Sequence, residues 1–375
     1  MHIPFVDLKA QYSTIKTEID EAIQSVINET AFIKGKYVDK FEKEYSDKYG
    51  IKHCIGVANG TDAIYISLKA LGIGPGDEVI TVANSWISTS ETITQAGARP
   101  VFVDIDPDYY TINHKLIEDK ITPKTRAIIP VHLFGQPAEI DEIKLICEKH
   151  NLHLIEDCAQ AHFAEYKGKK AGTFGIAGTF SFFPGKNLGA YGDAGAIITD
   201  DDHLATQARM YANHGAIVKH KHEIEGINSR MDGIQAAVLS VKLKYISEWN
   251  SKRLQNAILY NRLLTSINNI VAPKIRKNVT HIFHLYVVRA ANREGLQKYL
   301  EEKGITTAIH YPTPLPFLPA YKYLDHKPSD FPVAFDYMNK ILSLPMYPEL
   351  MADQISYIVD AINLFYKSHK RTCPE

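Results

Sequence analysis

The densest chemical signal in the chain is Ser181-Phe182-Phe183-Pro184-Gly185-Lys186-Asn187-Leu188-Gly189-Ala190-Tyr191-Gly192-Asp193-Ala194-Gly195. A lysine among glycines, an asparagine and a proline lies on irregular backbone that can approach a ligand closely, and nearby aromatics can lower its pKa. Those are the requirements of a Schiff-base lysine, although a solvated lysine beside a glycine-rich turn reads the same way. Upstream, Asp157 ends an apolar run in Glu156-Asp157-Cys158-Ala159-Gln160-Ala161-His162. A carboxylate at a strand's carboxyl end can pair with a protonated pyridine nitrogen and keep that ring an electron sink, the partner pyridoxal phosphate (PLP) needs. An isolated Asp there more commonly caps a helix. In Asn59-Gly60-Thr61-Asp62-Ala63 the Thr61 hydroxyl and the first free helix N–H groups can hold a phosphate, as an ordinary cap also would. Trp86 could lay its indole on a cofactor ring, though packing in a core is a tryptophan's usual fate.

The elements that must position these residues follow from the apolar runs. Short runs at 54–58, 78–82, 101–103, 127–131 and 153–156 read as strands alternating with helices. Such alternation calls for a mostly parallel sheet covered by helices on both faces, with ligands at the carboxyl ends of the strands. Further strands are expected at 180–183, 195–199, 281–289 and 305–309. Helices are expected near 204, at 231–245, over a long exposed stretch at 247–267, and at 293–303 and 352–366. The chain therefore divides into a large domain, 1–250, and a smaller C-terminal α+β domain, 251–375.

The 375 residues suggest about two domains at roughly 150 each, and a chain this long can bury roughly three quarters of its surface without staples. Lys plus Arg number 42 and Asp plus Glu 43, so the basic excess of a nucleic-acid binder is missing. No strand is followed by G-x-G-x-x-G with an acidic residue about 20 positions on, so a dinucleotide site is not expected. Cys54, Cys147, Cys158 and Cys373 are widely spaced with no C-x-x-C pair, which suggests a reduced, cytoplasmic protein. No apolar run approaches the roughly 18 residues of a membrane span, and the N-terminus lacks a signal-peptide pattern; no membrane association is expected.

Taken together, Asn59-Gly60-Thr61, Trp86, His132-Leu133-Phe134-Gly135-Gln136, the Asp157 and Lys186 stretches, Gly226-Ile227-Asn228-Ser229-Arg230-Met231-Asp232, His284-Leu285-Tyr286 and His310-Tyr311-Pro312 resemble, in order and spacing, the nucleotide-sugar aminotransferases of the DegT/DnrJ/EryC/StrS type. The resemblance implies the type I aspartate-aminotransferase fold, a PLP-dependent α/β architecture, in a homodimer whose subunits share their active sites. It makes Lys186 the Schiff-base lysine, Asp157 the pyridine-nitrogen partner and Gln160 the neighbour of the phenolic oxygen. Thr61 and Ser181 match phosphate ligands with Gly60 in the turn beside them, Trp86 matches the stacking aromatic, and Asn228 a phosphate contact from the other subunit. Relatives with histidine in place of the lysine act as dehydratases, and Lys186 argues against that branch.

The implied reaction moves an amino group from L-glutamate, by way of pyridoxamine phosphate, to a nucleotide-linked keto sugar. Similarity is greatest to enzymes acting on carbon 3 of a dTDP-3-keto-6-deoxyhexose, giving a dTDP-3-amino-3,6-dideoxyhexose of the Fuc3N or Qui3N type for a surface polysaccharide such as the lipopolysaccharide O-antigen. The site of Phe183 carries Tyr in some of these relatives, so a hydroxyl contact is lost here. Phe183, Lys219, Arg230, His310 and Tyr311 are the candidates for contact with the sugar nucleotide. The patch Lys219-His220-Lys221-His222 could meet a pyrophosphate, though a solvated loop is the commoner explanation, and with His214 it completes no metal-ligand set. Two other readings compete: a 4-keto UDP- or GDP-sugar as substrate, and a non-catalytic PLP-binding protein.

Overall fold

The structure, a computed structural model, describes residues 1–369; Cys373 lies outside them. Its strands are β1 (His53–Val57), β2 (Glu78–Val82), β3 (Arg99–Val103), β4 (Thr125–Ile129), β5 (His153–Asp157), β6 (Glu165–Tyr166), β7 (Lys169–Lys170), β8 (Ala177–Ser181), β9 (Gly195–Thr199), β10 (Ile270–Val271), β11 (Val279–Thr280), β12 (Tyr286–Ala290) and β13 (Ile341–Leu344). Its helices are α1 (Leu8–Thr14), α2 (Lys16–Asn28), α3 (Lys36–Tyr49), α4 (Gly60–Ala70), α5 (Ser88–Gln95), α6 (Ile140–His150), α7 (Asp202–Tyr211), α8 (Gly233–Leu243), α9 (Ile246–Leu264), α10 (Arg293–Glu302), α11 (Pro332–Tyr337) and α12 (Ala352–His369).

Seven strands make the main sheet in the order β1-β9-β8-β5-β4-β2-β3. Its central strands are apolar at nearly every position because both faces are covered. On one face Ile55, Val57, Ala127, Ile129 and Ile155 pack with α4, α5 and α7. On the other, Cys54, Phe180, Ala196 and Ile198 pack with α2, α3 and α8, while Ile80, Phe102, Ile128 and Leu154 pack with α6. Only β9 runs against the rest, since it is antiparallel to both β1 and β8 while every other pairing is parallel. The connection from β8 to β9 therefore turns back at the sheet's carboxyl edge, and that connection is the glycine-rich segment holding Lys186. Asp157 ends β5, Ser181 ends β8, and Asn59 follows β1 on the same edge.

A second sheet, β10-β12-β13, is antiparallel and buries its apolar residues against α9, α10 and α12. Ile3 joins this core through a bridge to Ile305. The stretch 305–309 expected as a strand forms only isolated bridges, Ile305 to Ile3 and Ala308 to Ser343, because its two ends find different partners. The expected strand at 281–289 is regular only from Tyr286. Phe283 sits at φ +44°, and the N–H groups of Ile282 and Leu285 bond to the 134–135 loop instead. Helix α9 is not exposed all round, for Trp249, Arg253, Ala257, Tyr260 and Leu264 are buried along one face. Strand β13 has no counterpart in the sequence reading. No helix among the described residues is long and apolar enough to cross a membrane.

Candidate active site

The site assembles from strand ends. Asp157 is buried; its Oδ2 accepts a hydrogen bond from Thr89 Oγ1 at 2.8 Å and its Oδ1 from the Ala159 N–H at 3.1 Å. Its backbone is held by Pro130 O and the His132 N–H, so the carboxylate ends a paired strand and does not cap a helix. Burial pushes its pKa up, opposed by those two hydrogen bonds and by the charge of Lys186. Lys186 feels the converse: burial lowers its amine to about 8, and Asp157 resists. Burial thus draws the proton affinities of the amine and the carboxylate together, while the charge of each opposes the other's shift.

Gly60 and Ser181 touch where the β1–α4 turn meets the end of β8. A Cβ at Gly60 would lie 2.5 Å from Ser181 Cβ, so only glycine fits. Asn59 caps α4 by accepting from the Asp62 N–H at 2.8 Å, which leaves the Gly60 and Thr61 N–H groups at the helix start without an intrahelical acceptor. The Thr61 hydroxyl lies 2.7 Å from Ser88 Oγ. Two hydroxyls, Thr61 and Ser181, and a helix N-terminus therefore converge at one corner, a donor set suited to a phosphate. Ser181 is fixed from behind: His162 Nε2 lies 2.9 Å from its carbonyl, and His162 Nδ1 lies 3.0 Å from Tyr45 OH. Burial takes the His162 pKa down to about 3, so the ring stays neutral, donating to the carbonyl and accepting from the phenol.

The opposite wall carries aromatics. Trp86 is 60% exposed, so it is a platform and not a core residue, and its ring lies 5.9 Å from that of Tyr311. Gln160 is held at both ends, its Oε1 accepting from the Phe134 N–H at 2.7 Å and its Nε2 donating to Tyr311 OH at 3.0 Å. His310 stacks on Phe5 with Nδ1 2.8 Å from Ser343 Oγ, and burial and the charge of Lys186 take its pKa down to about 4. Phe183 projects from the lysine loop, 57% exposed.

The fold thus draws together Gly60, Thr61, Trp86, Asp157, Gln160, Ser181, Lys186, His310 and Tyr311. It does not bring in three others within this chain. Asn228 and Lys219 are exposed on the segment after α7, and Arg230 is half-buried there with Nε lacking a partner; none hydrogen-bonds to the Lys186 group. Thr89, Ser88, His162 and Tyr45 escaped the sequence reading. For Thr89 the only available signal was its place one helical turn after Ser85, whose hydroxyl lies 3.0 Å away.

One buried group has the residue types of a metal site. His132, Glu156 and Cys158 bring their ligand atoms within 4.8 Å of one another. The His132 and Glu156 donors are already engaged. His132 Nδ1 accepts from the Ala138 N–H, so Nε2 donates to Glu156, whose oxygens also take the Gly172, Phe174 and Gly175 N–H groups. This network ties two loops to the strand that carries Asp157.

The donor set fits PLP: an amine beside a buried carboxylate, a phosphate corner and an open indole. Comparison with known proteins agrees. The model of the DegT/DnrJ/EryC1/StrS aminotransferase family matches residues 13–363. The chain is 46% identical to the "pleiotropic regulatory protein" of Geobacillus stearothermophilus, over 98% of this chain and 99% of that one. It is 44% identical to the UDP-2-acetamido-2-deoxy-3-oxo-D-glucuronate aminotransferase of Pseudomonas aeruginosa (96% and 99%) and 42% identical to the dTDP-3-amino-3,6-dideoxy-alpha-D-galactopyranose transaminase of Aneurinibacillus thermoaerophilus (97% and 99%). Among solved structures, DesV of S. venezuelae superposes with a TM-score of 0.95 at 39% identity, covering 97% of this chain and 98% of that chain.

Proposed function

The chain belongs to the DegT/DnrJ/EryC1/StrS aminotransferase family, whose enzymes depend on PLP, and from that premise we propose that it transfers the amino group of L-glutamate to carbon 3 of a dTDP-3-keto-6-deoxyhexose. The product is a dTDP-3-amino-3,6-dideoxyhexose of the Fuc3N or Qui3N type, made in the cytoplasm for a surface polysaccharide. The observation that carries the chemistry is that Lys186, its amine lowered by burial to about 8, lies within electrostatic reach of the buried carboxylate of Asp157. The observation that favours the sugar is the 42% identity to a transaminase named for a dTDP-linked 3-amino-3,6-dideoxygalactose.

PLP, when bound, supplies the electron sink and carries the amino group between the two half-reactions. Asp157 would hold its ring nitrogen, Gln160 would face its phenolic oxygen, and Trp86 would offer a stacking surface. Thr61, Ser181 and the Gly60 turn would hold its phosphate, joined in a homodimer by the partner subunit's Asn228. Lys186 Nζ does the proton work. With a pKa of about 8 it is partly unprotonated near neutrality, able to take a proton from the α-carbon of the amino donor and return it. Asp157 keeps the opposing charge in place through its bond from Thr89. Phe183, His310 and Tyr311 contact the sugar nucleotide, which Lys219 and Arg230, not brought to the site within this chain, could reach only from the partner subunit; a phenylalanine at 183 offers the sugar an apolar edge and no hydroxyl.

A UDP-linked keto sugar is the second reading, favoured by the 44% identity to the Pseudomonas aeruginosa enzyme. The regulatory name of the Geobacillus relative supports a non-catalytic role, against which stands the retained lysine and carboxylate pair. A mass-spectrometric assay with PLP and L-glutamate separates them. Gain of an amine on dTDP-3-keto-6-deoxyhexoses alone is the expected result. Amination only of UDP-linked or 4-keto sugars moves the substrate, and no amination of any by PLP-loaded protein overturns the enzymatic reading.

A further inference from the structure

We propose that Lys242 is a positioning residue for Lys186, holding from α8 the backbone of the loop that carries the reactive amine. Three side chains from α8 and α9 meet alternate residues of that loop in reverse order. Asn187 Nδ2 donates to Asn250 Oδ1 at 2.9 Å, Lys242 Nζ donates to the Gly189 carbonyl at 2.7 Å, and the Tyr191 N–H donates to Gln235 Oε1 at 2.9 Å. Gln235 and Lys242 lie seven residues, two helical turns, apart, and so present one face of α8 to the loop.

The middle contact is the costly one. Lys242 is fully buried, and burial lowers its amine to about 7, with Glu349 resisting. Its Nζ meets one carbonyl and the face of Tyr191, 4.2 Å from the ring centroid. Every other residue from Ala236 to Leu243 is buried as well, so an apolar side chain would satisfy the core; a lysine stands there instead, and among the described residues its one hydrogen-bond acceptor is the Gly189 carbonyl of the lysine loop. The loop is anchored at Asn187, whose side-chain amide also meets Ile282 O and His284 Nδ1, each at 3.2 Å, and by the buried Leu188 and Ala190, but its own backbone bonds are few. Lys186 N–H bonds to Phe183 O, Ala190 N–H to Phe182 O, and the chain doubles back so tightly that a Cβ at Gly189 would lie 2.3 Å from Pro184 O. Without Lys242 the Gly189 carbonyl, three residues after Lys186, loses its hydrogen bond, and the backbone that carries the reactive amine is held less firmly.

The inference rests on Lys186 being the reactive amine and not on which sugar is aminated, so it is tested first without cofactor or sugar. Amide hydrogen exchange is compared in the apo chain for the parent, Lys242→Met, Lys242→Arg and Gln235→Met. Lys242→Met is expected to speed exchange in 186–191 by about tenfold or more while β2, β4 and β5 stay as in the parent, and Lys242→Arg to restore most of the protection. Gln235→Met, at a half-buried position, is expected to speed exchange at Tyr191. The PLP-loaded Lys242→Met protein is then expected to show a displaced pH midpoint of its visible absorbance, which a remote packing lesion does not produce. Unchanged exchange in 186–191, or an equal rise over the whole chain, overturns the proposal. Should Lys242→Met not fold, the milder Lys242→Gln is measured in its place, and unaltered exchange in 186–191 with an unmoved pH midpoint overturns the proposal.

Discussion

The chemistry of single residues here depends on two buried groups, each stabilising the other's charge against burial. Because Asp157 raises the Lys186 pKa against burial, removing its charge must lower it further. The rate at which the apo chain captures PLP should rise with pH through about 8, as the amine loses its proton, and in Asp157→Asn that midpoint should move to lower pH. A midpoint moving upward contradicts the pairing. Lys186→Ala should cut amination by about a thousandfold or more, because it removes the amine proposed to move the proton, and this is read directly from kcat. Lys186 and Asp157 were legible because glycine punctuation and a strand-terminal acid are local patterns. Thr89 was not, since a threonine in a helix shows its partner only when β5 is placed beside α5.

Elements place these residues through strand direction and close approach. Reversal of β9 sends the lysine loop back over the carboxyl edge, and it needs the β1–α4 turn to come within reach of β8. Gly60→Ala tests that approach. With Ser181 Cβ 2.5 Å from the new methyl, turn and strand must separate, which should cost about 1–3 kcal/mol in urea unfolding and weaken PLP binding. Unchanged stability with full PLP affinity would show that the contact is slack. Most strands of the main sheet were readable within a residue or two, because burial on both faces makes them short apolar runs. The stretch 305–309 reads as a strand for the same reason, yet Ile305 and Ala308 bond to different neighbours, Ile3 and Ser343, and no periodicity encodes that division.

For the whole molecule, assembly and stability are the measurable quantities. If Asn228 serves the other subunit's site, Lys186→Ala and Asn228→Ala proteins, each inactive alone, should recover activity when refolded together. Half of the dimers would be hybrids with one intact site each, so about a quarter of parental activity is expected. No recovery would place Asn228 in its own subunit's site or outside both. Stability in the apo state should run against function. Asp157 has a raised pKa when folded, so its ionisation costs stability as pH climbs above the ordinary carboxylate range. Apo Asp157→Asn should therefore have a higher Tm than the parent at pH 7 and no advantage below about pH 3, where the parent's Asp157 is protonated in both states; a lower Tm at pH 7 would contradict the burial of this charge.

Local patterns by themselves determined that a glycine-set lysine, a strand-terminal aspartate and a helix-opening threonine occur in the order of an aminotransferase, on alternating strands and helices. That order survives in a one-dimensional chain because strand ends and helix starts are encoded by neighbouring residues. Only the tertiary structure decided which partners those residues have: Thr89 for Asp157, His162 behind Ser181, Tyr311 for Gln160, and Lys242 under Gly189. These contacts span from 19 to 151 residues of sequence, and hydrogen bonds over such separations are fixed by packing, which no local pattern records.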